Sequence, residues 1–318
     1  MNEVQFVARR APDWDAWDRW LGGGEALPAA QMPAGFRALC QDLALAEQRN
    51  YSGQLVDALQ RRVLAAHQRV YGARQAAGWA WLRFLAYELP AAVRARRRSV
   101  AVAGLLFFLP AMVWIVLQQY FPDAVYLLLS PNAVRDIESM YDPAAAHLGR
   151  PREASTAWMM WGHYIGNNVR IDFQCFAGGM AFGAGAVFFL LYNGMFIGAV
   201  AGHLTQIGFI DTFWGFVAGH SAFELTGAVL SGAAGLELGM ALIAPGRRTR
   251  ADALLARARG ALPLIAGAAM LTFLAAFIEA FWSPLRGVPF AIKQAVGAMF
   301  WLLLALYFGL AGRGGDAA

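Results

Sequence analysis

AAVRARRRSVAVAGLLFFLPAMVWIVLQQY, residues 91–120, decides how this chain folds. From Val100 to Tyr120 it carries no charge and has about the 20 residues that cross roughly 30 Å of hydrocarbon. Pro110 in its middle predicts a kink. Arg94, Arg96, Arg97 and Arg98 stand immediately before it, the basic flank of a segment that enters the bilayer from the cytoplasm. The composition agrees: 58% of the residues are hydrophobic, 15% are charged, and the mean hydropathy is +0.43. A soluble domain carries about 45 to 50% apolar and about 25% charged residues. The reading is an all-α polytopic membrane protein.

Upstream, residues 1–99 hold 14 Arg and 9 acidic residues with no long apolar run, so they read as a cytoplasmic, amphipathic helical region. After Pro12, Trp14, Trp17, Trp20 and Leu21 recur at helical spacing, with Asp13, Asp15 and Asp18 elsewhere, and GGG at 22–24 ends that short helix. Leu55, Leu59, Val63, Ala66 and Val70 form a second stripe. The opening MNEVQFVARR lacks the apolar stretch of a signal peptide, so the N-terminus is expected in the cytoplasm.

Downstream, residues 121–172 carry four Arg against six acidic residues, the balance of an outer loop. Within it Val134, Ile137 and Tyr141 share a helical face, and STAWMMWGHYIGNNVRIDF, residues 155–173, reads as an interfacial helix. Asn167, Asn168 and Arg170 would end that helix, either capping backbone groups or forming a polar outer surface. Phe173 to Leu204 is too long for one span, and Tyr192-Asn193-Gly194 is a turn signal that divides it in two. A fourth span runs from Thr212 to Ile243, a fifth from Leu262 to Phe281 and a sixth from Ala291 to Leu310. Residues 244–261, with five Arg against one Asp, form a cytoplasmic loop. The membrane domain is therefore expected over 100–311, with six spans and both termini in the cytoplasm.

Ionisable groups at membrane depth are costly and should face one another inside the bundle. His220 and Glu224 share one face of span four, and Glu279 and Lys293 complete an expected polar cluster. The cluster reads either as a structural hydrogen-bonded pair or as a pathway for protons or solutes. A metal would need at least a third ligand beside His220 and Glu224, so no metal and no cofactor is expected. Ser221 points about 100° away from His220 and cannot serve it as a nucleophile. No Walker A, GxSxG, HExxH or dinucleotide fingerprint occurs, so an enzyme is not expected. A net charge of +5 suits contact with the lipid bilayer and argues against nucleic acid. Cys40 and Cys175 lie on opposite sides of a span and should stay unpaired.

Residues 173–243 contain 14 glycines, among them Gly179 with Gly183, and Gly194 with Gly198 and Gly202. Such spacing lets helices approach closely, either within one subunit or across a homodimer seam.

YIGNNVRIDFQCFAGG (164–179), LLYNGMFIGAVAGH (190–203), GHSAFELTGAVLSGAAGLELG (219–239) and FIEAFWSP (277–284) together resemble the stage II sporulation protein M family of bacterial integral membrane proteins. The resemblance covers about Met140 to Leu310. Where the family shows Pro-His-Gly, this chain has Gly219-His220-Ser221, which removes the proline that would kink span four. The resemblance implies a membrane scaffold that recruits cell-envelope proteins, here through the outer loop 121–172, most simply as a homodimer. A permease-like transporter or channel, with the polar cluster along its path, is the reading from another class.

Overall fold

The computed structural model describes residues 2–23, 32–71, 77–145, 148–149 and 157–313, and every regular element among them is helical. Expectations that fall on residue 24, on parts of the outer loop (146, 147 and 150–156) and on the tail from 314 lie outside the described residues, as does the Val70 side chain. The chain forms two compact units, Met1–Trp81 and Leu82–Ala318.

In the first unit, α1 (Glu3–Leu21) starts well before Pro12, because Asn2 and Gln5 cap each other's backbone N–H groups. α2 (Met32–Gln48) and α3 (Gly53–Tyr71) pack against it. Trp14, Trp17 and Trp20 are a buried core here, joined by Phe6, Leu39, Ala46, Leu59 and Ala66. Trp14 Nε1 donates to Asp42 at 2.9 Å, which supplies the polar partner that a buried indole needs. Trp17, 4% exposed, meets Trp20 and Phe36 edge-on at 5.5 and 6.4 Å. Trp17→Ala is expected to cost about 3–5 kcal/mol, enough to open this unit. Limited proteolysis of the variant should cut within residues 32–71 and spare the helices after Leu82, whereas an unchanged cleavage pattern would contradict the packing.

α4 (Ala77–Arg83) carries the chain across the boundary between the units, and the second unit continues with a π turn at Phe84–Glu88 and α5 (Leu89–Ala95). There follow α6 (Arg97–Tyr120), a 3-10 turn at Pro122–Leu127, α7 (Pro131–Tyr141), α8 (Ala157–Ala177) and α9 (Ala184–Gln206). α10 (Ile210–Ile243), α11 (Arg250–Phe281) and α12 (Phe290–Leu310) complete the chain. Five of these, α6, α9, α10, α11 and α12, are long and apolar enough to cross a membrane, so the chain is a polytopic all-α membrane protein. α10 is the central one: 67% of its most apolar stretch is buried, against 17% for α6 and for α12. It runs unbroken through Gly219-His220-Ser221, where the absence of proline leaves its backbone bonds intact.

The second and third spans differ from the sequence expectation. Tyr192-Asn193-Gly194 is not a turn, because α9 passes straight through it. Asn193 satisfies its own amide by donating to the Phe189 carbonyl one helical turn back, at 2.7 Å, and Gly194 lies against the α6 backbone at Phe107. The chain reverses instead at Phe182 and Gly183, whose φ values of +53° and +81° are left-handed. α8 is consequently packed along the bundle, beyond what the interfacial reading expected. It follows α10 from Gly227, which faces Asp172, to Gly235, which touches the Cys175 carbonyl. Asn167, Asn168, Arg170 and Asp172 lower its apolarity below that of the other five. At about 1.5 Å per residue its 21 residues still reach roughly 30 Å.

Both arginine-rich segments lie at one end of the bundle. The Arg96 guanidinium covers Gly260, and Glu237 of α10 bonds both Ser99 and Arg257, each at 2.5 Å. Arg286, in the turn between α11 and α12, reaches the Pro143 carbonyl at 3.3 Å. With that arginine-rich end in the cytoplasm, a membrane-impermeant thiol reagent applied to cells should label a cysteine at Ala144 and miss one at Asp252. Labelling at both positions would contradict the topology.

Candidate functional site

α10 places His220 and Glu224 one turn apart, so both side chains leave the same face. α11 brings Glu279 to them, and ligand atoms of the three residues lie within 4.8 Å of one another. The loop after α11 holds the fourth partner: Ser283 Oγ meets His220 Nδ1 at 2.9 Å, and the Ser283 carbonyl accepts from Lys293 Nζ at 2.8 Å. Lys293, at 3% exposure, also sits over the Trp282 ring at 5.7 Å. Trp282 can lie so close only because residue 219 is glycine, where a Cβ would stand 2.2 Å from the indole. His220 Nε2 and Glu224 Oε2 are 3.7 Å apart, too far for a hydrogen bond. The expected self-sufficient pair is therefore one side of a network running through Ser283 and Glu279.

The cluster faces a cavity of about 540 Å³ between α6, α9, α10 and α12. Its other walls are chiefly apolar, among them Phe108, Phe196, Val217 and Ala298. Met112 of α6 and Trp301 of α12 also line it and are 64% and 37% exposed, which puts its rim on the lipid-facing side of the bundle.

Glu224 borders a second, smaller space as well, about 20 Å³, lined by Asn168, Asp172, Asn193 and Thr272. That volume suits one water molecule. Thr272 Oγ1 donates to Asp172 at 2.5 Å, and Asn167 donates to Asn168 at 2.9 Å. Asp172, Asn193 and Thr272 were missed by sequence reasoning. The i, i+4 spacing of Asn168 and Asp172 was the available signal, hidden because this stretch read as an interfacial helix. Of the expected outer motif, Asn168 is buried beside this pocket, whereas Asn167 and Arg170 lie on the outward face of α8.

The expectation of no metal rested on a missing third ligand, and the fold supplies one in Glu279. The glycines act within the chain: a Cβ at Gly179 would stand 2.0 Å from the Gly235 carbonyl oxygen. At Gly194 and Gly198 it would stand 2.2 and 2.4 Å from the carbonyls of Phe107 and Ala111. Gly202 abuts Ile115 and Gln118, and Gly183 forms the left-handed turn beside Gly239.

Residues 99–284, more than half of the chain, match the model of the family described as stage II sporulation protein M. The chain belongs to the stage II sporulation protein M family. The stretch shared with that family spans α6 to the Ser283 loop, and so contains His220, Glu224, Glu279 and Asp172 but not Lys293. It begins earlier and ends earlier than the resemblance in the sequence suggested. Residues 4–72, which make up α1 to α3, match a domain of unknown function, DUF8413. Neither a curated protein nor a solved structure matches this chain.

Proposed function

We propose that this member of the stage II sporulation protein M family is a permease-like, non-enzymatic protein of the bacterial inner membrane that takes an amphiphilic ligand into its central cavity. One observation carries the reading: His220, Glu224 and Glu279, from two helices, converge on a cavity that is otherwise largely apolar. Ionisable groups held at membrane depth are costly, and their default explanation is function. A pocket with apolar walls and a few convergent polar groups is what a ligand with a tail and a polar head requires. The exposed rim residues Met112 and Trp301 give such a ligand an entry from the bilayer. The test is transport by the purified protein in liposomes, with Glu224→Gln as the comparison.

A second reading, a scaffold for cell-envelope proteins, is favoured by a different observation. The N-terminal helices have a core of their own, as a docking module would. In that reading envelope partners are recruited at the outer segment after α6, while the N-terminal unit holds cytoplasmic ones.

Homodimer formation stays a proposal too, with its seam moved. The glycines at 179, 194, 198 and 202 are occupied within the chain, whereas a Cβ at Gly162 or Gly166 of α8 meets nothing. Asn167 and Arg170 lie exposed near them, and a second copy would shield these polar groups from lipid.

A further inference from the structure

We propose that His220, Glu224 and Glu279 form a site for one divalent transition-metal ion of the Zn²⁺ class, bound through His220 Nε2 and one oxygen from each carboxylate. Four features of the site support this.

An imidazole nitrogen and carboxylate oxygens are both ligand types that Zn²⁺ takes, and three protein ligands leave a coordination position open. Purely oxygen-binding ions such as Mg²⁺ or Ca²⁺ have no call for the imidazole.

The geometry is close to what the ion requires. Ligand atoms about 2.1 Å from a tetrahedral ion stand roughly 3.4 Å apart. His220 Nε2 and Glu224 Oε2 are already at 3.7 Å, and the widest separation in the trio is within 4.8 Å. Glutamate side chains have three rotatable bonds, so differences of this size lie within the reach of side-chain rotation.

The histidine is oriented for the task. It is 4% exposed, and its Nδ1 meets Ser283 Oγ at 2.9 Å, which leaves Nε2 directed at the carboxylates. A ligating histidine that donates its other N–H to a fixed oxygen is the usual outer support of a metal site. Ser283 is itself held, because its N–H bonds the Ile278 carbonyl and its carbonyl takes the Lys293 ammonium.

Charge also agrees. A divalent ion balances two carboxylates that would otherwise stand together at membrane depth, and its fourth position faces the 540 Å³ cavity. The site does not depend on the permease reading, since an ion could equally hold α10 against α11.

The test uses untagged full-length protein in detergent, stripped with a chelator, then equilibrated with Co²⁺ as a spectroscopic probe and with Zn²⁺ for elemental analysis. One ion per chain is expected, with the intense visible absorption of four-coordinate cobalt. Glu224→Gln and Glu279→Gln should each abolish that signal, and Ser283→Ala should weaken binding about 10- to 100-fold while the ligands remain. Glu237→Gln, far along α10, should leave it unchanged. Failure of the unaltered protein to bind either ion would overturn the site, as would binding that persists in the Glu224→Gln/Glu279→Gln double variant. Because the unaltered chain gives the primary readout, a variant that fails to fold does not decide the outcome.

Discussion

Gly179→Leu should abolish recovery of a monodisperse protein from detergent rather than split a dimer into monomers. A Cβ alone at this position would stand 2.0 Å from the Gly235 carbonyl oxygen and 2.7 Å from its Cα, and backbone cannot rotate away as a flexible side chain does. Overpacking typically costs about 1–3 kcal/mol and more where backbone must separate, so the four atoms of leucine should part the α8–α9 turn from α10. Gly198→Leu should behave likewise against Ala111 of α6. Gly162→Leu, where a Cβ meets nothing, should leave the melting temperature near that of the parent and change only the native mass if α8 forms the dimer seam. A stable, folded Gly179→Leu protein would contradict the packing of the α8–α9 turn on α10.

The second large effect concerns the polar network. His220→Leu strands Ser283 Oγ and removes the imidazole that stands 3.7 Å from Glu224, and Glu224→Leu removes a group shared by the cavity and the small polar pocket. Each buried polar group left without a partner costs roughly 1–3 kcal/mol. Two groups that needed only each other would show compensation, with the double variant recovering much of the loss. Here the partners lie beyond the pair, in Ser283 and Glu279, so His220→Leu/Glu224→Leu should melt no higher than the worse single variant. Melting temperatures in detergent for the parent, both singles and the double decide it, and recovery in the double would restore the simple pair.

The sequence made the membrane class legible because apolar run length and arginine placement are local properties of the chain, clear at 91–120 and 244–261. It also identified His220, Glu224, Glu279 and Lys293, since ionisable residues stand out in apolar runs. Their arrangement was not legible. Ser283 reads as an ordinary residue beside a proline, and its role follows only from the loop that carries it back to α10. The turn at Tyr192-Asn193-Gly194 failed for the same reason: Asn and Gly signal a turn in water, but within the bundle Asn193 bonds its own helix and Gly194 admits α6. Asp172 was hidden by reading α8 as a surface helix, and the tryptophans of α1 needed α2 and α3 before they could be seen as a core.

If the cavity beside His220, Glu224 and Glu279 accepts an amphiphile from the bilayer, the protein should move such molecules across a membrane. The most direct measurement is transbilayer movement of a head-labelled fluorescent phospholipid in liposomes carrying the purified protein, read by a quencher that reaches only the outer leaflet. Quenching beyond the outer leaflet's share is expected with the unaltered protein, and a return to that share with Glu224→Gln of equal melting temperature. Quenching confined to the outer leaflet for both proteins, with no proton or small-solute movement in parallel liposomes, would contradict it.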